Sequence, residues 1–438
     1  MKHQLLARYP LGNPHRVWKQ DNFILNIASP GPMTRRPKSD LTRQKTRRAV
    51  KTCMDAGFNM MGSLWATPEL AMDIVRAAET NGANLLFQDL WRYGGMGNKN
   101  IFCKNNDYAG SFEDTKNWKC IKGYCLWDEP ILEEHLYETR RMLDYCEKNY
   151  PDKLPYVVAN PDYHALCRWE DDAYAPYIER YLDIIDPAQM SFDYYPIGKD
   201  EYVHELQLDN STMWYDLEVV RKAAQKRQIP FWFAYQAQKY HFYNVYCDFR
   251  FPMAKSMAYA GVLYGVKALE CYTEFEGFVD PATGGKGVFF EEQKQLNKEL
   301  LNLGNTLMAL ECLRVIHDDT LLKGHPVKEN ICTNMEESEL LTGELLPRIS
   351  ISEHQDAYGN KYLMVLNRDY EKNAHIELSL KNPSHIYEVS KDDGEQYLQY
   401  DNALFLPMYL TAGELKIYRV QPAEEELFTI EYYLEKDL

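Results

Sequence analysis

The ten residues IKGYCLWDEP, Ile121 to Pro130, end an apolar, β-prone run on two adjacent carboxyls, Asp128 and Glu129, followed by a proline. Paired carboxyls can divide acid–base work when their surroundings push their pKa values apart, so that one donates a proton while the other stays ionised. On a regular strand neighbouring side chains point to opposite faces, so only one of the two is expected to face a common site. Glu129 is the better acid if burial near Trp127 raises its pKa. Asp128 ahead of Pro130 also reads as a helix N-cap. Other carboxyls fall at comparable places: Asp193 in SFDYYP, and Glu270 and Glu274 in ALECYTEF, whose even spacing puts them on one strand face. Asp193 can instead cap the turn before Pro196, and Glu270, deep in an apolar run, reads equally as half of a buried ion pair. Asp89, Asn160 and Gln236 end similar runs and suit hydroxyl recognition, although an amide at position 236 cannot serve as a nucleophile. Trp65, Trp91, Trp127, Tyr195 and Tyr235 stand at the same ends, where a ring can stack on an apolar CH face or simply form the wall.

What must position these groups is a set of strands that present their C-terminal ends together. Short apolar runs alternate with amphipathic helical patterns: Asn22–Ser29, Phe58–Trp65, Ala83–Leu90, GYCLW, LPYVVANPD, AQMSFDYYPI, IPFWFAYQAQ and VKALECYTEF, each followed by a helix. Eight such alternations predict a (β/α)8 TIM barrel over residues 1–317, with its chemistry at the C-terminal strand ends. A doubly wound sheet would usually open on a Gly-rich turn; here the first turn carries Pro30, Pro32 and Pro37. After the third run come roughly thirty Gly-rich, irregular residues around a short helix, SFEDTKNW, a length typical of binding loops. From about residue 318 the period changes to two, which predicts an all-β sandwich over 318–422. The acidic stretch 423–438 reads as a solvated or docking tail.

Composition narrows the function class. A net charge of −16 argues against nucleic acid as a partner. No run of 18 apolar residues can span a membrane. The N-terminus lacks a signal-peptide pattern, so the chain as written is expected in the cytoplasm, or outside it if a leader was removed. The ten cysteines are scattered, with no C-x-x-C, and read as reduced, buried thiols. There is no HExxH, P-loop or GxGxxG, so neither a metal nor an organic cofactor is expected. Aromatic residues reach 13%, with 33 Tyr and 8 Trp, which suits stacking on sugar as well as core packing.

The LWDEP end of the fourth run, with SFDYYP, PFWFAYQ, AYAGVLYGVKALECYT and NKELLNLG, resembles a glycoside hydrolase of clan A. The barrel-plus-sandwich layout is similar to the family 42 β-galactosidases and related bacterial hydrolases. The resemblance spans about Asn22 to Val420 and is specific at the DEP motif. It implies that Glu129 is the general acid/base and that Asp128, where the clan usually carries Asn, holds a sugar hydroxyl. The clan's nucleophile is usually a Glu at the end of strand seven, where this chain has Tyr235-Gln236-Ala237-Gln238. The partner carboxylate is therefore expected from Asp193, Glu270 or Glu274. The implied activity is hydrolysis of O-glycosidic bonds in an oligo- or polysaccharide. A catalytically weak or inactive carbohydrate-binding protein on the same scaffold is the alternative.

Overall fold

The computed structural model describes residues 11–30, 40–63, 66, 68–89, 108–162, 174–197, 209, 211–237, 249–272 and 277–423. Strands β1 (Ile24–Ile27), β2 (Met60–Gly62), β3 (Leu85–Phe87), β4 (Ile121–Asp128), β5 (Leu154–Ala159), β6 (Met190–Tyr194), β7 (Phe231–Gln236) and β8 (Ala268–Tyr272) form a closed parallel barrel in sequence order. β8 returns to β1 in the register Ile24↔Ala268 and Asn26↔Glu270, which closes the ring. The helices between them include α1 (Asp40–Asp55), α2 (Pro68–Asn81), α3 (Tyr108–Thr115), α4 (Glu133–Asn149), α5 (Tyr174–Ile185), α6 (Met213–Lys226), α7 (Phe251–Leu263) and α8 (Phe290–Ala309). No helix among the described residues is long and apolar enough to cross a membrane.

The sequence period explains the two apolar layers. Alternate strand residues go out to meet the helices, while Ile24, Met60, Leu86, Cys125, Leu154, Tyr156, Val158, Trp232 and Ala268 fill the barrel interior. β4 fits closely against β5 because position 123 is glycine; a Cβ there would lie 2.5 Å from the Leu154 carbonyl oxygen. Below the barrel, Trp18 meets Trp232 edge to face at 6.3 Å, and the Trp232 indole N–H donates to Gln20 at 2.9 Å. Cys53, Cys120, Cys125, Cys146, Cys271 and Cys312 are buried, Cys332 is half-buried, and none of these seven is in a disulfide.

The C-terminal domain is antiparallel. β9 (Glu311–His317), β10 (Leu341–Thr342), β11 (Ile349–Gln355), β12 (Lys361–Asn367), β13 (Ala374–Val389), β14 (Gln396–Leu410) and β15 (Leu415–Pro422) form one curled sheet around its own core. β9 pairs with β11, so the antiparallel sheet takes in Glu311–His317. The helix α8 runs into this strand across Leu310 alone, leaving no turn for the sequence to signal. AHIELSL and HIYEVS lie on one strand, β13, whose pairing register with β14 breaks between Ser379 and Ser384, around Pro383.

A buried polar joint holds the two domains together. His317 meets the Tyr264 hydroxyl at 2.8 Å and Ser350 at 2.6 Å. Arg368, fully buried, donates to Asp318 and, at 2.7 Å, to Asp209, and lies over the Trp214 ring. Burial, and then the Arg368 charge, hold His317 well below the ordinary value of 6.5. The unfolded chain therefore takes up this proton first, and the joint weakens as pH falls below about 6.5. Arg368→Ala strands two carboxylates at the joint and is expected to cost about 3–5 kcal/mol in urea unfolding. A loss under about 1 kcal/mol would show that the ion pairs do not hold the joint.

Candidate active site

The strand ends of β4, β6 and β8 carry the site. A register break between Cys125 and Trp127 resets the alternation of β4. Trp127 turns outward against the His135 ring at 4.8 Å, and Asp128 pairs with Val158, a residue of the barrel interior. Glu129 follows with φ 56°, in the left-handed region, while its N–H still donates to the Val158 carbonyl at 3.1 Å. That conformation costs a non-glycine residue about 1 kcal/mol and is disfavoured further before proline. It overturns the expectation that only one carboxyl of the pair faces the site. Regular alternation ends at Asp128, and Glu129 is turned back so that its side chain reaches β6. The Tyr177 hydroxyl, from α5, locks this turn: it accepts from the Asn160 N–H at 3.3 Å and donates to the Pro130 carbonyl at 3.2 Å.

Four carboxyls meet here. Glu129 hydrogen-bonds Asp193, and burial, then the charges of Asp193 and Asp128, push its pKa well above the carboxylate range. Asp193 is pushed up to about 6 by burial, opposed by hydrogen bonds from the Tyr195 hydroxyl, its own backbone N–H and Glu129. Asp128 is raised well above its usual value by burial, then by Asp193 and Glu270. Glu270 is pushed up to about 7 by burial, against hydrogen bonds from Asn26 and from the Tyr156 hydroxyl at 3.3 Å. Burial and the neighbouring charges thus favour a proton on Glu129, placed to donate to Asp193. Asp128, Glu129 and Asp193 titrate as a group.

Other expected site residues divide clearly. Tyr195 belongs to the site, stacked on Tyr272 at 4.4 Å. Asn160 is fully buried and in phase with Val158, and neither atom of its amide has a hydrogen-bond partner. Gln236 spends both ends of its amide on the Ile197 backbone, at 2.9 and 2.7 Å, and so staples β7 to the segment after β6. Tyr235 and Trp127 lie in the core outside the barrel, Tyr235 bonded to Gln293 at 3.1 Å, so neither lines the mouth. Asp89 accepts from Ser111 at 3.0 Å and ties β3 to α3. Trp65, Trp91 and Glu274 lie outside the described residues. Asn26, Tyr156, Ser191 and Tyr272 were not singled out in the sequence. Their signal is a polar or hydroxyl-bearing residue in phase with the inner face, such as Asn26 within ILNI. Among the described residues no group of three or more His, Cys, Asp or Glu is arranged to hold a metal ion.

No family model and no curated relative matches the sequence. Solved structures do. A candidate α-galactosidase from Bacteroides fragilis aligns over 91% of this chain and 79% of its own, at TM-score 0.50 and 10% identity. A β-L-arabinopyranosidase from Geobacillus stearothermophilus, in complex with arabinose, aligns over 95% and 98%, at TM-score 0.48 and 10% identity. An α-L-arabinofuranosidase from Thermotoga maritima aligns over 95% and 99%, at TM-score 0.43 and 9% identity. At such identity the likeness is one of fold. None of the three is named as a family 42 β-galactosidase, so that finer resemblance gains no support from them.

The buried acids make stability depend on pH. The folded-state pKa of Glu270, about 7, lies above the ordinary 4.5, so the folded chain binds this proton more tightly than the unfolded one. Its penalty is absent below pH 4.5 and complete above about 7, on the order of 3 kcal/mol. Glu270→Gln is therefore expected to melt close to wild type at pH 4.5 and above it at pH 8, with the gap opening between. A thermal scan across pH showing a constant gap would rule this out.

Proposed function

We propose that the protein hydrolyses O-glycosidic bonds of an oligo- or polysaccharide, with Glu129 as general acid. The observation that carries this reading is the pairing of two buried carboxyls, Glu129 and Asp193, at the C-terminal ends of the barrel strands, where burial favours a proton on Glu129. Glu129 would give its proton to the glycosidic oxygen as the bond to the anomeric carbon breaks. A nearby carboxylate, from Asp193 or from Glu270 or Glu274 of the strand-eight region, would stabilise the positive charge that develops on the ring. Asp128, Asn160 and Tyr195 would hold sugar hydroxyls; the unpartnered Asn160 amide supplies both a donor and an acceptor. The fold shared with glycoside hydrolases agrees with this reading at the level of architecture.

One observation favours a second reading, a carbohydrate-binding protein without turnover. β7 ends on Ala234, Tyr235 and Gln236, with no carboxyl, and the Gln236 amide is engaged by Ile197.

A screen of aryl glycosides separates the two. If a substrate is cleaved, Glu129→Gln should lower turnover of poor-leaving-group substrates by about 10²–10⁴. Nitrophenyl glycosides should lose less, because their leaving group needs little protonation. Equal rates for Glu129→Gln and wild type on a poor leaving group would remove Glu129 from the chemistry. Sugar binding at the strand ends without cleavage of any glycoside would support the binding protein.

A further inference from the structure

Two carboxyls that flank an anomeric carbon stand about 5 Å apart in retaining enzymes and about 6.5–9.5 Å apart in inverting ones. Glu129 and Asp193 are instead in hydrogen-bond contact, so no sugar carbon fits between them. Asp193 is also tethered: it accepts from the Tyr195 hydroxyl and from its own backbone N–H, and Tyr195 is braced flat on Tyr272 at 4.4 Å. On the other side of Asp193 the neighbouring strand carries a small residue. Its ladder partner on β7 is Ala234, and the partner of Ala234 on β8 is Glu270. Asp193 and Glu270 thus start two strands apart, about 9–10 Å between Cα atoms, with Ala234 on the strand between them. Glu270 is held from behind by Asn26 and Tyr156.

Building on the glycosidase reading, we propose that Asp193 is a positioning residue that holds and aims the proton of Glu129, and that the carboxylate facing the anomeric carbon comes from strand eight. Asp193 then never contacts the reacting carbon. Its negative charge keeps the proton on Glu129 until the glycosidic oxygen arrives to take it. Tyr195, by donating to Asp193, keeps that charge in place.

The test begins without substrate. The protonated-carboxyl infrared band of the full-length protein, assigned to Glu129 by its loss in Glu129→Gln, is titrated in wild type, Asp193→Asn and Tyr195→Phe. Removing the Asp193 charge should move the Glu129 midpoint down by at least about one pH unit. Removing the Tyr195 donor leaves Asp193 more basic and should move the acid-side midpoint of the pair up. With a cleaved aryl glycoside, the alkaline limb of kcat/KM in Asp193→Asn should fall by the same amount. Asp193→Ala given azide should yield no glycosyl azide. An unmoved infrared midpoint in Asp193→Asn overturns the pairing, and the opposite shift in Tyr195→Phe guards against misfolding of one variant being mistaken for a lost pair. Glycosyl azide from Asp193→Ala overturns it as well, because it identifies Asp193 as the nucleophile. If no glycoside is cleaved while both midpoints shift as stated, the glycosidase reading fails and the proton-holding pair stands.

Discussion

The site depends on barrel closure. Eight parallel strands joined edge to edge must bring all their C-terminal ends to one rim, so carboxyls far apart in the chain become neighbours. Closure of β8 on β1 sets Asn26 opposite Glu270, and the β6–β7–β8 ladder sets Asp193, Ala234 and Glu270 in one row. A slip of one residue in any of these registers would turn a carboxyl out among the helices, away from the groups that hydrogen-bond it. The apolar lower layer, capped from below by Trp18, opposes such a slip because it fixes which residues face inward.

Above that layer the interior turns polar, and the energetics reverse. Burying several carboxyls together is unfavourable, and the structure meets the cost in protons and hydrogen bonds: Glu129 keeps its proton, Asn26 and Tyr156 donate to Glu270, and Tyr195 donates to Asp193. The left-handed backbone at Glu129 adds local strain of the kind that a rigid surround must sustain. Tyr174 and Tyr177 of α5 supply that surround. They take up the backbone groups of Asn160 and Pro130 and leave the side chains of Glu129 and Asn160 to the site. The cluster is thus a place where stability is lower than the same barrel could reach with neutral side chains.

The β domain is coupled to the barrel through side chains that have no role at the strand ends. Arg368 reaches Asp209, in the connection between β6 and α6, and His317 reaches Tyr264, at the end of α7. Arg221 of α6 donates to the Cys312 carbonyl at 3.1 Å. The second domain therefore braces helices that stand behind β6 and β7, on the side of the barrel where Asp193 is held.

The layers are legible in the amino-acid sequence. The alternation of apolar strand runs with helical periods is a local property, and the barrel, the change to a β domain and the strand-end positions of Glu129 and Asp193 all follow from it. It also exposed Glu270 as a carboxyl inside a strand, and the missing acid at the end of strand seven. What it did not carry was direction. Trp127 and Tyr235 stand at the same ends as the site residues but point away, and the bulge that turns Trp127 out exists only as a mismatch between two paired strands. The backbone reversal at Glu129 likewise depends on Val158, Tyr177 and Asp193, none of them near it in sequence. Which groups share a proton is a matter of ångströms between side chains on different strands. Only tertiary structure sets those distances, because coupling between charges depends on separation in space and on the water excluded from between them.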